Sequence, residues 1–107
     1  MIEKIKIDFR ISGTKITIPF SAICSVTDKK FTGFVISEYE PKTEVIEYCS
    51  LETFINKTCE KDLTAEQLTN LIYEEIENSI NPKYLKVTVD VKESDAHQPV
   101  VVWKESL

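Results

Sequence analysis

The sequence predicts an α+β fold in which an antiparallel sheet packs against two helices. Segments near both ends of the chain alternate apolar and polar side chains, which is typical of half-buried strands. A central segment instead places apolar residues at helical spacing. Runs of strands on either side of a pair of helices favour the α+β class. The 107 residues fit one domain spanning 1–107, with no internal repeat or linker.

Two strands are predicted at the start of the chain, and a third comes after them. Apolar residues alternate with charged ones over 5–11, Gly13 interrupts the pattern, and 15–18 resume it. This pattern predicts a hairpin, and Gly13 is able to take the positive φ that such a turn can require. Pro19 has no N–H, so we expect strand pairing to end there. The third strand, rich in β-branched and aromatic residues, is predicted over 31–39.

Two helices are predicted next. A short one covers 50–57. The longer one begins at Thr64, which has the spacing of a capping box with Gln67. It should end near Asn81, because Pro82 disfavours the α region in the residue before it. Four apolar residues of this helix fall at helical spacing and are assigned to the core: Leu68, Leu71, Ile72 and Ile76.

The chain is predicted to close on two strands, over 84–91 and 99–104, joined by a turn at 95–98. Trp103 lies in the last strand and is assigned to the core or to a subunit interface. The single histidine, His97, falls in the turn, and its side chain is expected to be exposed to solvent.

Composition narrows the classes of function. The net charge is −5, which disfavours nucleic acid as the main ligand because phosphate contacts rely on clustered Lys and Arg. No apolar run approaches the roughly 20 residues of a membrane helix. The first residues also lack the apolar region of a secretory signal. We therefore expect a cytoplasmic protein without membrane contact, whose partner is a small ligand or another protein.

The cysteines predict neither disulfides nor a metal centre. Cys24, Cys49 and Cys59 form an odd set, and in a cytosolic chain they are interpreted as reduced thiols. A closed zinc site needs four ligands, and these spacings with one histidine do not supply them. No metal is predicted.

Four short segments and one glutamate carry a family resemblance. They read Cys24-Ser25-Val26-Thr27, Tyr39-Glu40-Pro41, Glu47-Tyr48-Cys49-Ser50-Leu51, Glu66 and Asn81-Pro82-Lys83-Tyr84-Leu85. In this order and spacing they resemble the 7-cyano-7-deazaguanine reductase family of the tunnelling-fold superfamily, to which GTP cyclohydrolase I also belongs. The resemblance covers 24–87. It implies a tunnelling fold, with two helices on one face of the sheet, assembled as a ring-like homo-oligomeric barrel.

The resemblance implies a site for a small purine-like substrate. Cys24 stands at the position of the nucleophile that attacks a nitrile carbon and forms a covalent thioimide, a reaction that needs an activated thiolate. Glu66 matches the acid that binds the deazaguanine edge, where one carboxylate accepts two N–H bonds. The stretch Ile46-Glu47-Tyr48 matches another substrate-binding segment.

Two positions of the implied site depart from the family pattern. The aspartate that moves a proton is replaced by Phe31, and Asp28 is the nearby carboxylate that takes that catalytic role if the loop bends differently. The residue before the base-binding glutamate is Ala65, where the family usually has histidine. Ala65 is kept as a substrate-binding position.

The cofactor segment departs as well. Ser50 and Leu51 match an NADPH-binding motif, but Cys49 and Glu52 stand where its two lysines belong. A carboxylate repels the phosphate that an ammonium would bind. The resemblance thus implies NADPH as the cofactor, while these residues predict that its binding is weak or absent.

Three functions remain open. The first-ranked one is an enzyme of queuosine-type deazapurine metabolism, related to the NADPH-dependent reductase, that captures a 7-cyano-7-deazaguanine-type nitrile on Cys24. The second is a cofactor-independent, amidine-forming relative acting on archaeosine-type transfer RNA. The missing lysines and the short chain fit it, whereas the acidic charge does not. The third is a non-catalytic subunit that binds a deazapurine or pterin, which Phe31 and Ala65 support.

Overall fold

The computed structural model describes residues 2–95 and 98–107, which form six strands and two helices. In chain order the elements are β1 (Lys4–Lys6), β2 (Thr14–Ile23), β3 (Lys30–Glu40), β4 (Glu44–Ile46), α1 (Tyr48–Thr58), α2 (Ala65–Ile80), β5 (Tyr84–Ser94) and β6 (Val100–Glu105). The α+β prediction is confirmed. The predicted turn at 95–98 includes Ala96 and His97, which lie outside the described residues.

The main sheet has four antiparallel strands in the order β2-β3-β5-β6. The two central strands, β3 and β5, bury alternate side chains. Val35, for example, is opposite Ile18 on one side and Val89 on the other, and all three side chains are buried. This face of the sheet therefore forms one wall of the core.

The predicted N-terminal hairpin is wrong. β1 pairs with β4 in a separate two-stranded sheet, where Ile5 is opposite Val45. Gly13 does not have a positive φ, and Phe9 is exposed. The prediction failed because period-two alternation identifies a strand without identifying its partner.

Pro19 does not end the pairing of β2. The strand continues to Ile23, and Pro19 is opposite Phe34 of β3. β2 lies at the edge of the sheet, and an edge strand accepts proline because the missing N–H can lie on the side without a neighbour. The uninterrupted β2 carries the chain directly to Cys24.

Both helices pack on the same face of the main sheet. Their buried side chains are Leu51 and Ile55 of α1 and Leu68, Thr69, Ile72, Tyr73, Ile76 and Ile80 of α2. Leu71, which was assigned to the core, is 45% exposed, because the buried stripe is centred on Ile72 and Leu71 lies beside it. Across residues 2–95 and 98–107, neither helix has the length and apolar character needed to cross a membrane.

The boundaries of α2 agree with the prediction. The Thr64 hydroxyl oxygen accepts a hydrogen bond from the Gln67 N–H at 3.1 Å, and Gln67 Oε1 accepts one from the Thr64 N–H at 2.8 Å. This reciprocal pair satisfies two donors at the start of the helix. Asn81 ends the helix in the left-handed conformation, with φ of 45°.

The face of the main sheet opposite the helices carries two cross-strand rows. One row joins Thr17, Ile36, Thr88 and Trp103, and the next joins Lys15, Glu38, Lys86 and Glu105. Trp103 is 58% exposed, and Lys86 Nζ lies 5.8 Å from its ring centroid. Trp103 is therefore not part of the core of the single chain.

Ser37→Ala should stabilise the fold. Ser37 is 1% exposed on the core side of β3, and its hydroxyl has no hydrogen-bond partner among the described residues. Burial of an unpaired hydroxyl costs about 1–3 kcal/mol, so its removal should raise the free energy of unfolding by about 1 kcal/mol. Urea denaturation followed by circular dichroism measures the change.

Thr69→Val is the matched control for that prediction. Thr69 is also buried, but its hydroxyl donates to the Ala65 carbonyl oxygen at 2.8 Å. Loss of a satisfied hydroxyl should not stabilise the protein. An equal gain in both variants would contradict the assignment of the Ser37 effect to an unpaired group.

Candidate active site

A cleft of about 400 Å³ brings together three parts of the chain that are distant in sequence. It is lined by Cys24, Phe31, Thr64, Ala65, Glu66, Gln98, Pro99 and Val100. The β2–β3 connection contributes the thiol, the first turn of α2 contributes the carboxylate, and the residues leading into β6 contribute the remaining wall. Two of the residues that the family resemblance singled out, Cys24 and Glu66, thus share one cleft with Ala65.

Two backbone hydrogen bonds hold the β2–β3 connection against the start of α2. The N–H of Leu63 donates to the carbonyl oxygen of Ile23 at 3.0 Å, and the N–H of Ser25 donates to the carbonyl oxygen of Leu63 at 3.4 Å. Ile23 and Ser25 flank Cys24 in the chain, and Leu63 precedes Glu66 by three residues. The thiol and the carboxylate are therefore positioned by main-chain contacts.

The β2–β3 connection is a tight loop. The Cys24 N–H donates to the carbonyl oxygen of Lys29 at 2.9 Å, and the Asp28 N–H donates to the carbonyl oxygen of Cys24 at 2.8 Å. Asp28 has a φ of 59°, a left-handed conformation that aspartate tolerates better than most residues. The loop folds back over its own first residue.

Hydrogen bonds within this loop favour the thiolate of Cys24. The Thr27 hydroxyl has the largest effect on the Cys24 pKa, followed by the backbone N–H groups of Thr27 and Val26, and together they lower that pKa below its ordinary value. Partial burial and the negative charge of Glu66 oppose the shift. A lowered thiol pKa is typical of reactive cysteines.

Asp28 takes no part in lining the cleft. Its backbone N–H binds the Cys24 carbonyl oxygen, but its carboxylate is not among the groups that shift the Cys24 pKa. Its assignment as a catalytic residue stays a prediction that this loop conformation does not support. The chain bends at Asp28, and the residues whose hydrogen bonds lower the Cys24 pKa are Thr27 and Val26 rather than Asp28.

Phe31 occupies the wall where the family places an aspartate. Its side chain is buried and packs edge-on against Phe20, with ring centroids 5.6 Å apart and planes at 71°. A hydrocarbon ring can shape the cleft and exclude water, but it cannot donate or accept a proton. Among the residues that line the cleft, Glu66 is the one with an ionisable carboxylate.

The stretch Ile46-Glu47-Tyr48 is not part of the cleft lining. The Ile46 side chain is buried, and its N–H donates to the Tyr39 hydroxyl at 3.0 Å. Glu47 caps α1, accepting hydrogen bonds from the N–H groups of Cys49 and Ser50 at 2.8 and 2.9 Å. These bonds lower the Glu47 pKa. In the single chain this carboxylate stabilises a helix terminus, and the substrate-binding role of the stretch stays a prediction.

The segment that resembles a cofactor motif borders a different hollow, of about 470 Å³. Cys49, Glu52 and Lys15 are among its lining residues. Leu51 is fully buried in the core, and the Ser50 hydroxyl donates to the Glu47 carbonyl oxygen while it accepts from the Glu3 N–H. The groups at this surface do not fit a phosphate, since Glu52 offsets the charge of Lys15.

The three thiols occupy different environments. Cys49 is exposed, whereas Cys59 is half-buried and burial raises its pKa to about 11.

Within the described part of the chain, no three histidine, cysteine, aspartate or glutamate side chains are grouped as a metal site requires.

Several lining residues were not found from the sequence. Thr64 was identified as a helix cap, and its place in the cleft results from its position next to Ala65. Gln98, Pro99 and Val100 carry no local signal for a binding role, because their contribution depends on how β6 packs. Thr27 belongs to the motif around Cys24, and its effect on the Cys24 pKa depends on the loop conformation.

Comparisons with known proteins give consistent results. The sequence model of the family described as "QueF-like protein" matches residues 31–105. The NADPH-dependent 7-cyano-7-deazaguanine reductase of Sulfurimonas denitrificans is 30% identical over 77 residues, which are 71% of this chain and 62% of that protein. The enzyme of the same name from Nitratiruptor sp. is 30% identical over 77 residues, or 71% and 59% of the two chains. The chain thus spans about three fifths of the length of these relatives.

A solved structure has the same fold. The archaeosine synthase QueF-Like in its apo form superposes with a TM-score of 0.81 at 22% sequence identity, covering 90% of this chain and 94% of that one. The family match begins at Phe31, so the loop that carries Cys24 lies outside it. Because the family match and the 30% identities each extend over more than two thirds of the chain, this chain belongs to the QueF-like family.

Proposed function

We propose that this chain is an enzyme that binds a 7-cyano-7-deazaguanine-type nitrile in the cleft and captures it on Cys24. The observation that carries the proposal is the shared cleft of Cys24 and Glu66, lined by a thiol with a lowered pKa and by one carboxylate. The names of two relatives, which are 7-cyano-7-deazaguanine reductases, support this class of substrate.

The capture is an addition reaction. The Cys24 thiolate forms a C–S bond with the nitrile carbon, one C–N π bond breaks, and its electron pair moves to nitrogen. The nitrogen takes up a proton, which gives a neutral thioimide without loss of any atom. The mass of the protein therefore increases by the full mass of the nitrile.

Glu66 is proposed to bind the purine-like edge of the substrate. Its carboxylate is exposed at the start of α2 and lines the cleft. An ionised carboxylate can accept two parallel N–H bonds, as a guanine-like amide and amine would donate them. Ala65, which also lines the cleft, leaves room beside this contact, whereas Phe31 gives the base an apolar wall.

The step after capture distinguishes the first two functions. The reductase interpretation, which we rank first, requires hydride from NADPH, and the names of the relatives support it. Cys49 and Glu52 instead favour nitrogen transfer that needs no redox cofactor. The third function, non-catalytic binding, requires that Cys24 forms no bond to the ligand.

The ring-like homo-oligomer stays a prediction. β2 and β6 are the two edges of the main sheet, and unpaired edges are often covered by another chain. Pairing of these edges between subunits would close the sheets into a barrel.

Cys24→Ala should abolish covalent capture. Incubation of the chain with 7-cyano-7-deazaguanine, followed by intact-mass measurement, should show one added nitrile in the wild type and none in this variant. Cys49→Ala is the matched control, because Cys49 is exposed but lies outside the cleft, and it should keep the adduct. A deazaguanine without the nitrile should give no mass change.

The outcomes of this experiment are distinct. An adduct that persists in Cys24→Ala would show that another thiol reacts and that the cleft is not the site. Absence of an adduct in the wild type, with binding still detected by calorimetry, would favour the non-catalytic subunit.

A further inference from the structure

We propose that a hollow between the two helices is a binding site for a small amphipathic anion, a molecule with an apolar body and one carboxylate or phosphate group. The hollow has a volume of about 550 Å³, within the range of roughly 300–1,000 Å³ that is typical of small-molecule sites. It shares no lining residue with the cleft of Cys24 and Glu66, so the inference does not depend on the proposed function.

Apolar side chains from three segments line the hollow. Phe54 comes from α1, Leu63 from the connection between the helices and Leu71 from α2. Leu71 is 45% exposed. A single exposed leucine is ordinary on a protein surface, but apolar side chains that converge on a concave surface are typical of a ligand site. The apolar body of a ligand would remove this surface from water, which is favourable.

Two lysines give the same hollow a local positive charge. Lys57 lies in the last turn of α1, and Lys61 follows it by four residues. Both are exposed, and within the described ranges neither ammonium belongs to an ion pair. Asp62 also lines the hollow, so two positive charges and one negative charge leave a net charge of +1. On a chain whose net charge is −5, this hollow is complementary to an anionic group.

The two side-chain amides in the lining already have partners within the chain. Gln67 Oε1 accepts a hydrogen bond from the Thr64 N–H at 2.8 Å. Asn70 Oδ1 accepts one from Lys104 Nζ at 2.8 Å, and Asn70 Nδ2 donates one to Glu74 Oε1 at 2.8 Å. Recognition of a base or a sugar needs several free donors and acceptors. The hollow instead offers ammonium groups beside apolar atoms, which fit an amphipathic anion.

The test is a titration of the isotopically labelled full chain with sodium octanoate, in which the backbone amide NMR shifts give both the location of binding and the Kd. Octyl phosphate carries the other anionic group on the same apolar body, whereas octylammonium carries a positive charge. Lys57→Gln combined with Lys61→Gln removes both lysine charges. Lys6→Gln combined with Lys42→Gln is the matched control, because these two lysines are exposed and lie outside the hollow.

We expect octanoate to cause saturable shifts of the amides that border the hollow, among them those of Lys61 and Leu71. An exposed ion pair changes Kd by a factor of roughly 1.5 to 5, so the Lys57, Lys61 double variant should bind octanoate about fivefold more weakly. Leu71→Ala should also weaken binding, by about threefold or more, because it removes apolar contact. The control variant should keep the wild-type affinity, and octylammonium should not bind. Tighter binding of either anion supports the site and identifies its head group.

An unchanged octanoate affinity in the Lys57, Lys61 double variant would overturn the inference, as would equal binding of octylammonium or shifts centred on residues outside the hollow. An acidic peptide that binds in the hollow when octanoate does not would assign it to a protein partner, and that result would also overturn the inference. Circular dichroism checks that the variants fold. Lys61→Gln alone is a second variant, since Lys61 lies outside both helices.

Discussion

Gly33→Ala should lower the free energy of unfolding by about 3 kcal/mol or more. Gly33 lies in β3 at a register shift against β5, where Thr32 is opposite Glu93 and Gly33 is opposite Val91. A Cβ atom there would overlap the Asp90 carbonyl oxygen and lie 2.9 Å from its carbonyl carbon. Because these are backbone atoms of the neighbouring strand, no side chain can rotate to relieve the overlap.

The measurement for Gly33→Ala is thermal or urea denaturation followed by circular dichroism. A loss of about 3 kcal/mol corresponds to a fall of about 13 °C in Tm. Gly13→Ala is the matched control, because a Cβ at Gly13 would meet only the Tyr39 carbonyl oxygen at 3.7 Å, an ordinary contact. It should be neutral or stabilise the chain by up to about 1 kcal/mol, since alanine restricts the unfolded state. Equal stability of the two variants would contradict the close approach of β3 and β5.

NADPH should bind at least about a hundredfold more weakly than it binds to a family member with both lysines. Cys49 and Glu52 stand where the family resemblance implies lysines, and each lost charge-assisted contact costs about 1.5–3 kcal/mol. Two such losses correspond to a hundredfold or more in Kd. Calorimetric titration with NADPH at low salt measures the affinity, and tight micromolar binding would restore the plain reductase interpretation.

A variant with lysines at these two positions tests the same prediction through a gain of NADPH affinity. Cys49→Lys combined with Glu52→Lys should increase NADPH affinity, because both positions border the hollow that contains Lys15. Asn56→Lys combined with Glu60→Lys changes the net charge by the same amount on an exposed surface away from that hollow. An equal increase in both double variants would show a general charge effect without a site.

Local sequence signals predicted the helices well. Thr64 and Gln67 satisfy each other's backbone groups within one turn, so their spacing alone determines where α2 begins. Asn81 ends the same helix, as the proline after it indicates. Such boundaries depend on residues a few positions apart, which a sequence displays directly.

The pairing of the N-terminal strand could not be predicted in the same way. Ile5 is opposite Val45, forty residues later, and its alternation with charged residues is equally compatible with a hairpin partner. Pro19 was misinterpreted for a related reason. Whether a proline ends a strand depends on which side has a neighbour, and that is a property of the whole sheet.

The candidate site was predicted in part. The family spacing singled out Cys24 and Glu66, which the fold brings into one cleft. Proximity along the chain favours Asp28 as the functional neighbour of the thiol, yet Thr27 and Val26 are the loop residues whose hydrogen bonds lower the Cys24 pKa. The roles of Ser50 and Leu51 depend on helix packing, which places Leu51 in the core.

Trp103 gives the chain an optical reporter of its own. It is the single tryptophan and lies on the sheet face opposite the helices, largely in contact with water. The emission wavelength of an indole shortens when water around it is replaced by protein. Covering of this face by another molecule would shift the emission towards the blue, whereas loss of the core beneath it would leave the ring in water. The emission wavelength of the unlabelled protein therefore distinguishes the covering of this face from the loss of the core.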